Sequence, residues 1–201
     1  MDILVKNIEK SFGQQTVLKD FSCTFPVGKT TCIMGESGCG KTTLLRIMMG
    51  LEKPDGGSIS GIQKGRVGAV FQEDRLCENL SAAANLRLVR KHLPQEEIEE
   101  AFREVRLEDA RKKPVRELSG GMKRRVAILR ALLAKADCII MDEPLKGLDE
   151  ETKEQTIRYI RSRTDGKTLI VVTHEEKEAE MLGAHEILRM RKIEKGITTV
   201  F

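Results

Sequence analysis

Gly35-Glu36-Ser37-Gly38-Cys39-Gly40-Lys41-Thr42 is the stretch on which the reading of this chain turns. It fits the pattern G-x-x-x-x-G-K-[ST], with Gly38 as an additional glycine and Thr43 directly after it. A glycine-rich turn of this kind lets successive backbone N–H groups and the start of the next helix face one anion. Lys41 adds a point charge for the β- and γ-phosphates of a nucleotide, and Thr42 an oxygen for Mg²⁺. The context agrees with the motif. Thr30 to Met34 reads as a buried strand, and the apolar spacing from about Lys41 to Met49 reads as a helix.

Working outward, the first segment alternates as short strands at Ile3 to Val5, Thr16 to Leu18 and Phe21 to Phe25. Gly13 and Asp20 act as turn signals between them, which predicts an antiparallel layer. Arg66 to Val70 is a further strand. Asn79 to Arg90 and Gln95 to Arg106 have helical periodicity with charges outward and read as a helical insertion. A helix over Gly120 to Lys135 leads to the strand Cys138 to Met141, then a helix near Glu150 to Arg163 and the β-branched run Leu169 to Thr173. Alternating strands and helices predict a mostly parallel sheet covered on both faces. Glu186 to Val200 reads as a short hairpin-like finish. The predicted fold class is α/β: a P-loop NTPase core, an N-terminal antiparallel β layer and a helical subdomain. All 201 residues form one domain, with core at 1–75 and 117–201 and the helical subdomain at about 76–116.

Composition narrows the possible partners. A net charge of +4, from 35 basic and 31 acidic residues, is too balanced to imply nucleic acid. The basic runs Arg111 to Lys113 and Lys123 to Arg125 read as solvated helix faces. Cys23, Cys32, Cys39, Cys77 and Cys138 are odd in number and lack zinc spacing, so they read as reduced cytosolic thiols. Met1-Asp2 runs into an alternating pattern rather than a signal peptide. The apolar stretch Val126 to Ala134 contains Arg130 and falls short of the roughly 20 residues that span a bilayer. Any membrane role is therefore expected to come from a partner chain.

Four more polar residues fall at strand ends. Asp142 and Glu143 follow Cys138 to Met141, where ligands of open parallel sheets bind. Asp142 is suited to hold Mg²⁺, and Glu143 to orient or deprotonate an attacking water. Gln72 follows Val70-Phe71, and His174 follows Val171-Val172-Thr173. They supply the two groups such a site would still lack, a bridge between Mg²⁺ and water and a γ-phosphate sensor.

Together these motifs resemble the nucleotide-binding subunit of ABC transporters. Leu118-Ser119-Gly120-Gly121-Met122 looks like the LSGGQ signature of that family, and the resemblance runs in order over essentially the whole chain. It implies that Ser119, Gly120 and Gly121 contact ATP held by a second copy, that Leu148-Asp149 is the D-loop, Gln72 the Q-loop and His174 the H-switch, and that Phe12 stacks on adenine. It further implies ATP hydrolysis, transmembrane permease subunits, a substrate-binding protein, and a cytoplasmic location at the inner face of the membrane. Val70 to Leu76 looks like importers of the nitrate, sulfonate and taurine group. A soluble ABC-type ATPase acting on ribosomes or DNA is the alternative. Three departures stand out. Met122 replaces the signature's glutamine and Arg124 a common glutamine two residues later, so a polar contact to the opposing nucleotide is expected to be lost; Phe12 stands where tyrosine is usual, which keeps the ring face and removes a hydroxyl.

Overall fold

A computed structural model of the chain describes residues 1–63 and 65–192. Strands β1 (Ile3–Phe12) and β2 (Gln15–Phe25) form an antiparallel hairpin, followed by β3 (Thr30–Gly35) and helix α1 (Lys41–Met48). Strand β4 (Gly56–Ser60) completes a three-stranded antiparallel sheet in the order β2-β1-β4. Two long strands thus replace the three short ones expected. The chain does turn at Gly13, but the expected break at Asp20 is absorbed as a register shift. Asp20 and Asn7 both take positive φ, and Asn7 Nδ2 donates to Asp20 Oδ1 at 2.5 Å. Such bulges bend a strand without ending it.

Next come β5 (Val67–Val70), the short helices α2 (Ala82–Arg87) and α3 (Gln95–Glu104), single 3₁₀ turns at Glu108–Ala110 and Val115–Glu117, and α4 (Gly120–Leu133). Helix α2 is shorter than the periodicity predicted. It starts where the Ser81 hydroxyl accepts from Ala84 N, and the buried Asn85 side chain bonds back to Cys77 and Ser81. A bridge between Ser81 and Pro114 draws together the two ends of the segment that carries α2 and α3.

The remaining elements are β6 (Cys138–Asp142), α5 (Glu150–Thr164), β7 (Thr168–Val172), α6 (Glu176–Met181) and β8 (Glu186–Met190). Strand β8 runs parallel to β3, so its part of the expected hairpin finish is instead a sheet edge; residues 193–200 of that stretch lie outside the described residues. The parallel sheet has the order β5-β6-β7-β3-β8. Every residue of β6 and β7 is buried, as expected for strands covered on both faces.

Alternation along these strands splits the core in two. Cys32, Met34, Ile139, Met141, Leu169 and Val171 face α4, α5 and the segment carrying α2 and α3. Ile33, Cys138, Ile140, Ile170 and Val172 face α1 and the antiparallel sheet. The sheet is therefore fixed from both sides, and β3, β5, β6 and β7 end side by side.

Candidate nucleotide site

The loop after β3 is shaped by close approach. Gly35 has φ +153°, and a Cβ there would lie 2.1 Å from Met190 O, so no side chain fits beside β8. Lys41 is buried, with Nζ donating to Gly35 O at 2.7 Å and Glu36 O at 2.9 Å. The ammonium is held inside the curve of the loop, next to the N-terminus of α1. Gly40 caps that helix with no side-chain bond, so its first N–H groups have no side-chain acceptor.

Across from the loop, Thr42 Oγ1 donates to Asp142 Oδ2 at 2.7 Å. Burial raises the Asp142 pKa above the ordinary carboxylate range, an effect opposed by the Thr42 hydrogen bond. A desolvated carboxylate beside a hydroxyl oxygen is a donor set for a hard divalent cation, so the residues present fit Mg²⁺. Among the described residues, no group of three or more His, Cys, Asp or Glu side chains gathers to hold a metal. A cation here would complete its shell with substrate oxygens and water.

Glu143 has φ +48°, a left-handed conformation that few non-glycine residues adopt. It aims the side chain at the cleft. Glu143 Oε1 lies 2.9 Å from His174 Nε2, and Oε2 accepts from Lys146 Nζ at 2.7 Å. Burial pushes the Glu143 pKa up, but Lys146 and His174 outweigh it and hold the group below its usual range. The carboxylate is thus charged, with one partner on each oxygen and acceptor sites to spare.

A cleft of about 290 Å³ collects these groups. Phe12, Ser37, Gly38, Gly40, Lys41, Thr42, Thr43, Gln72, Asp142, Glu143 and His174 all line it. Phe12 is 50% exposed at its rim and not a core residue. The Lys10 ammonium sits 5.1 Å from the centroid of its ring. A larger hollow of about 590 Å³ near Lys29, Arg161 and Lys167 contains no comparable set of acids and bases.

Several expected residues lie outside the cleft. Glu36 is exposed and does not line the cleft, and Cys39 is buried. Ser119, Gly120 and Gly121 open α4 at the surface, where Ser119 Oγ accepts from Met122 N. Beside them Leu148 lies against Gly121, and Asp149 caps α5 by accepting from Thr152 N at 2.9 Å. Met122 is partly buried against the core. Arg124 does not face outward either; it is buried against the Gln72 segment.

Two lining residues, Gln15 and Val17, went unnoticed in the sequence, as did Lys146. Gln15 pairs with Phe12 across the hairpin turn, a partnership that Gly13 could have signalled. Lys146 stands three residues after Glu143, a spacing at which opposite charges can meet in a turn.

The model of the ABC transporter family matches residues 18–146. This chain belongs to the ABC transporter family. It is 36% identical to the sulfate/thiosulfate import ATP-binding protein CysA of a Synechocystis strain, over 94% of this chain and 58% of the relative. The spermidine/putrescine import ATP-binding protein PotA of Haemophilus influenzae is 35% identical, over 94% of this chain and 55% of its own length. The chain thus spans somewhat more than half the length of the curated relatives it matches. Among solved structures, the dimeric ATP-binding cassette MJ0796 in a post-hydrolysis state with ADP and Pi superposes with a TM-score of 0.82. That comparison covers 93% of each chain at 29% identity. The ABC fold is therefore present over nearly the whole described chain.

Proposed function

We propose that the chain is the ATP-binding and hydrolysing motor subunit of an ABC importer. The observation that carries this reading is the convergence of Lys41, Thr42, Gln72, Asp142, Glu143 and His174 on one cleft at the ends of four parallel strands. Phe12 offers an exposed ring to adenine, and the phosphate loop over Gly35 to Thr43 takes the phosphates. Thr42 and Asp142 would hold Mg²⁺, with Gln72 bridging the cation and water, and the bound cation would supply charge neutralisation at the β- and γ-phosphates. Glu143 orients the attacking water and accepts its proton as His174 holds Oε1.

Ser119, Gly120 and Gly121 complete the site of a second copy, with Asp149 beside them at the same surface. Two chains pair head to tail around two nucleotides, either as a homodimer or with a related chain. The dimeric MJ0796 cassette, solved with ADP and Pi, supports the pairing of two copies. Among the described residues, no helix is long and apolar enough to cross a membrane. Permease subunits would therefore carry the membrane passage and hold the motor at the inner face of the membrane, and a substrate-binding protein outside would deliver the cargo. The segment at 76–116 is the helical arm between the core and those subunits. The names of the relatives support import but divide between sulfate/thiosulfate and polyamines, whereas Val70 to Leu76 resembles the nitrate, sulfonate and taurine group.

Glu143→Gln is the decisive test. Nucleotide affinity is expected to stay at the wild-type value while steady-state ATP turnover falls roughly 100-fold or more. A turnover unchanged from wild type would remove Glu143 from the chemistry.

A further inference from the structure

The segment that carries Gln72 leaves the sheet after β5 and has no regular structure until α2. Backbone carbonyls in such a segment need donors from elsewhere. Two arginines of one helix supply them. Arg124 Nη1 donates to Phe71 O at 2.7 Å and Nη2 to Gln72 O at 2.5 Å, while its Nε faces Asp74 Oδ1 at 3.3 Å. Six residues on, Arg130 Nη1 donates to Arg75 O at 2.8 Å and Nη2 to Asp74 O at 3.3 Å. Both belong to α4, whose first residues are Gly120 and Gly121.

The contact is close and shielded. Arg124 is only 8% exposed, so its hydrogen bonds compete little with water. Below them, α4 touches β5 so tightly that a Cβ on Gly68 would lie 2.4 Å from Ala131 O. Strand, loop and helix are thus joined at three levels. A planar guanidinium can donate to two carbonyls and still stand as an ion-pair partner beside a carboxylate, which neither the glutamine common at this position nor a lysine can do.

We propose that Arg124, seconded by Arg130, is a positioning residue for Gln72: it fastens the Gln72 loop to α4, so that the approach of Gln72 to its own nucleotide follows the placement of the helix whose N-terminus meets the partner's. This inference rests on the motor reading above for its catalytic consequence, but not for the tie itself. The departure from the family's glutamine at Arg124 then strengthens a contact within the chain.

Hydrogen exchange in the full chain tests the tie without nucleotide. In Arg124→Gln, exchange over residues 72–76 is expected to rise about tenfold, and by less in Arg124→Lys, while residues 126–133 of α4 keep wild-type protection. Unchanged exchange in the loop, or equal loss of protection along α4, overturns the tie. Turnover tests the consequence. Arg124→Gln is expected to lower kcat about tenfold and raise the Mg²⁺ concentration for half-maximal rate, with ATP affinity unchanged. In a Gln72→Ala background the same substitution should cost nothing further; additive losses would show that Arg124 does not act through Gln72. A wild-type chain that neither binds nor turns over ATP would overturn the motor reading and with it this catalytic role, whereas the exchange result decides the tie alone.

Discussion

The phosphate loop and the signature turn are built alike and finished differently. Each is a glycine-rich entry to a helix, Gly38-Cys39-Gly40 before α1 and Ser119-Gly120-Gly121 at the start of α4. The first is packed against β8, contains the buried Lys41 and faces Asp142, Glu143, Gln72 and His174. The second is exposed, is capped by its own Ser119, and has Leu148 and the Arg125 guanidinium against Gly121. Helix N-termini attract anions in both cases, but the first also has the buried Lys41 and the acid-lined cleft beside it. Binding should therefore reside in one region, and the rate in the meeting of the two.

Lys41→Met challenges that division most severely. Removing the charge and its hydrogen bonds to phosphate should weaken ATP binding roughly 100-fold in a fluorescent-nucleotide titration. A smaller effect than that of any signature variant would reverse the assignment. Gly120→Asp places a carboxylate where the partner's phosphate is expected. Turnover should fall about 10- to 100-fold as ATP affinity of the isolated chain stays within about twofold of wild type. Equal losses in both would merge the two regions into one site.

Ser119→Ala sharpens the comparison on the stability side. It removes the cap of α4 and should cost about 1 kcal/mol in a urea titration. Gly40 offers α1 no side-chain bond to remove. The smallest effect belongs to Asp149, whose pKa is held below the usual range, first by the Thr152 backbone N–H. A depressed carboxyl contributes stability above its unfolded pKa of about 3.9 and loses it as pH falls through the folded value. The stability difference between wild type and Asp149→Asn should thus shrink below about pH 4.

The sequence by itself determined the local chemistry. Gly35 to Thr42, Asp142-Glu143, His174 and Gln72 could be placed at strand ends because short-range patterns fix both the strand and the residue that follows it. Apolar, β-branched runs such as Leu169 to Val172 announced a sheet buried on both faces. Strand β4 was not legible, since Gly56-Gly57-Ser58 reads as loop and becomes strand only by pairing with β1. Asp20 likewise read as a turn, because the bulge that absorbs it depends on Asn7 across the sheet.

The tertiary structure alone decided which polar groups meet. Arg124 lies in a basic run that patterning sends to solvent, yet the loop after β5 turns it inward to Phe71 and Gln72. His174 reaches Glu143 across the ends of β6 and β7, whereas Lys146 meets it locally, three residues on. Sequence fixes what each segment can do through contacts a few residues long. Which carbonyl needs a donor, and which charge stands near enough to supply it, depends on chain returns of 31 and 53 residues that no local period records.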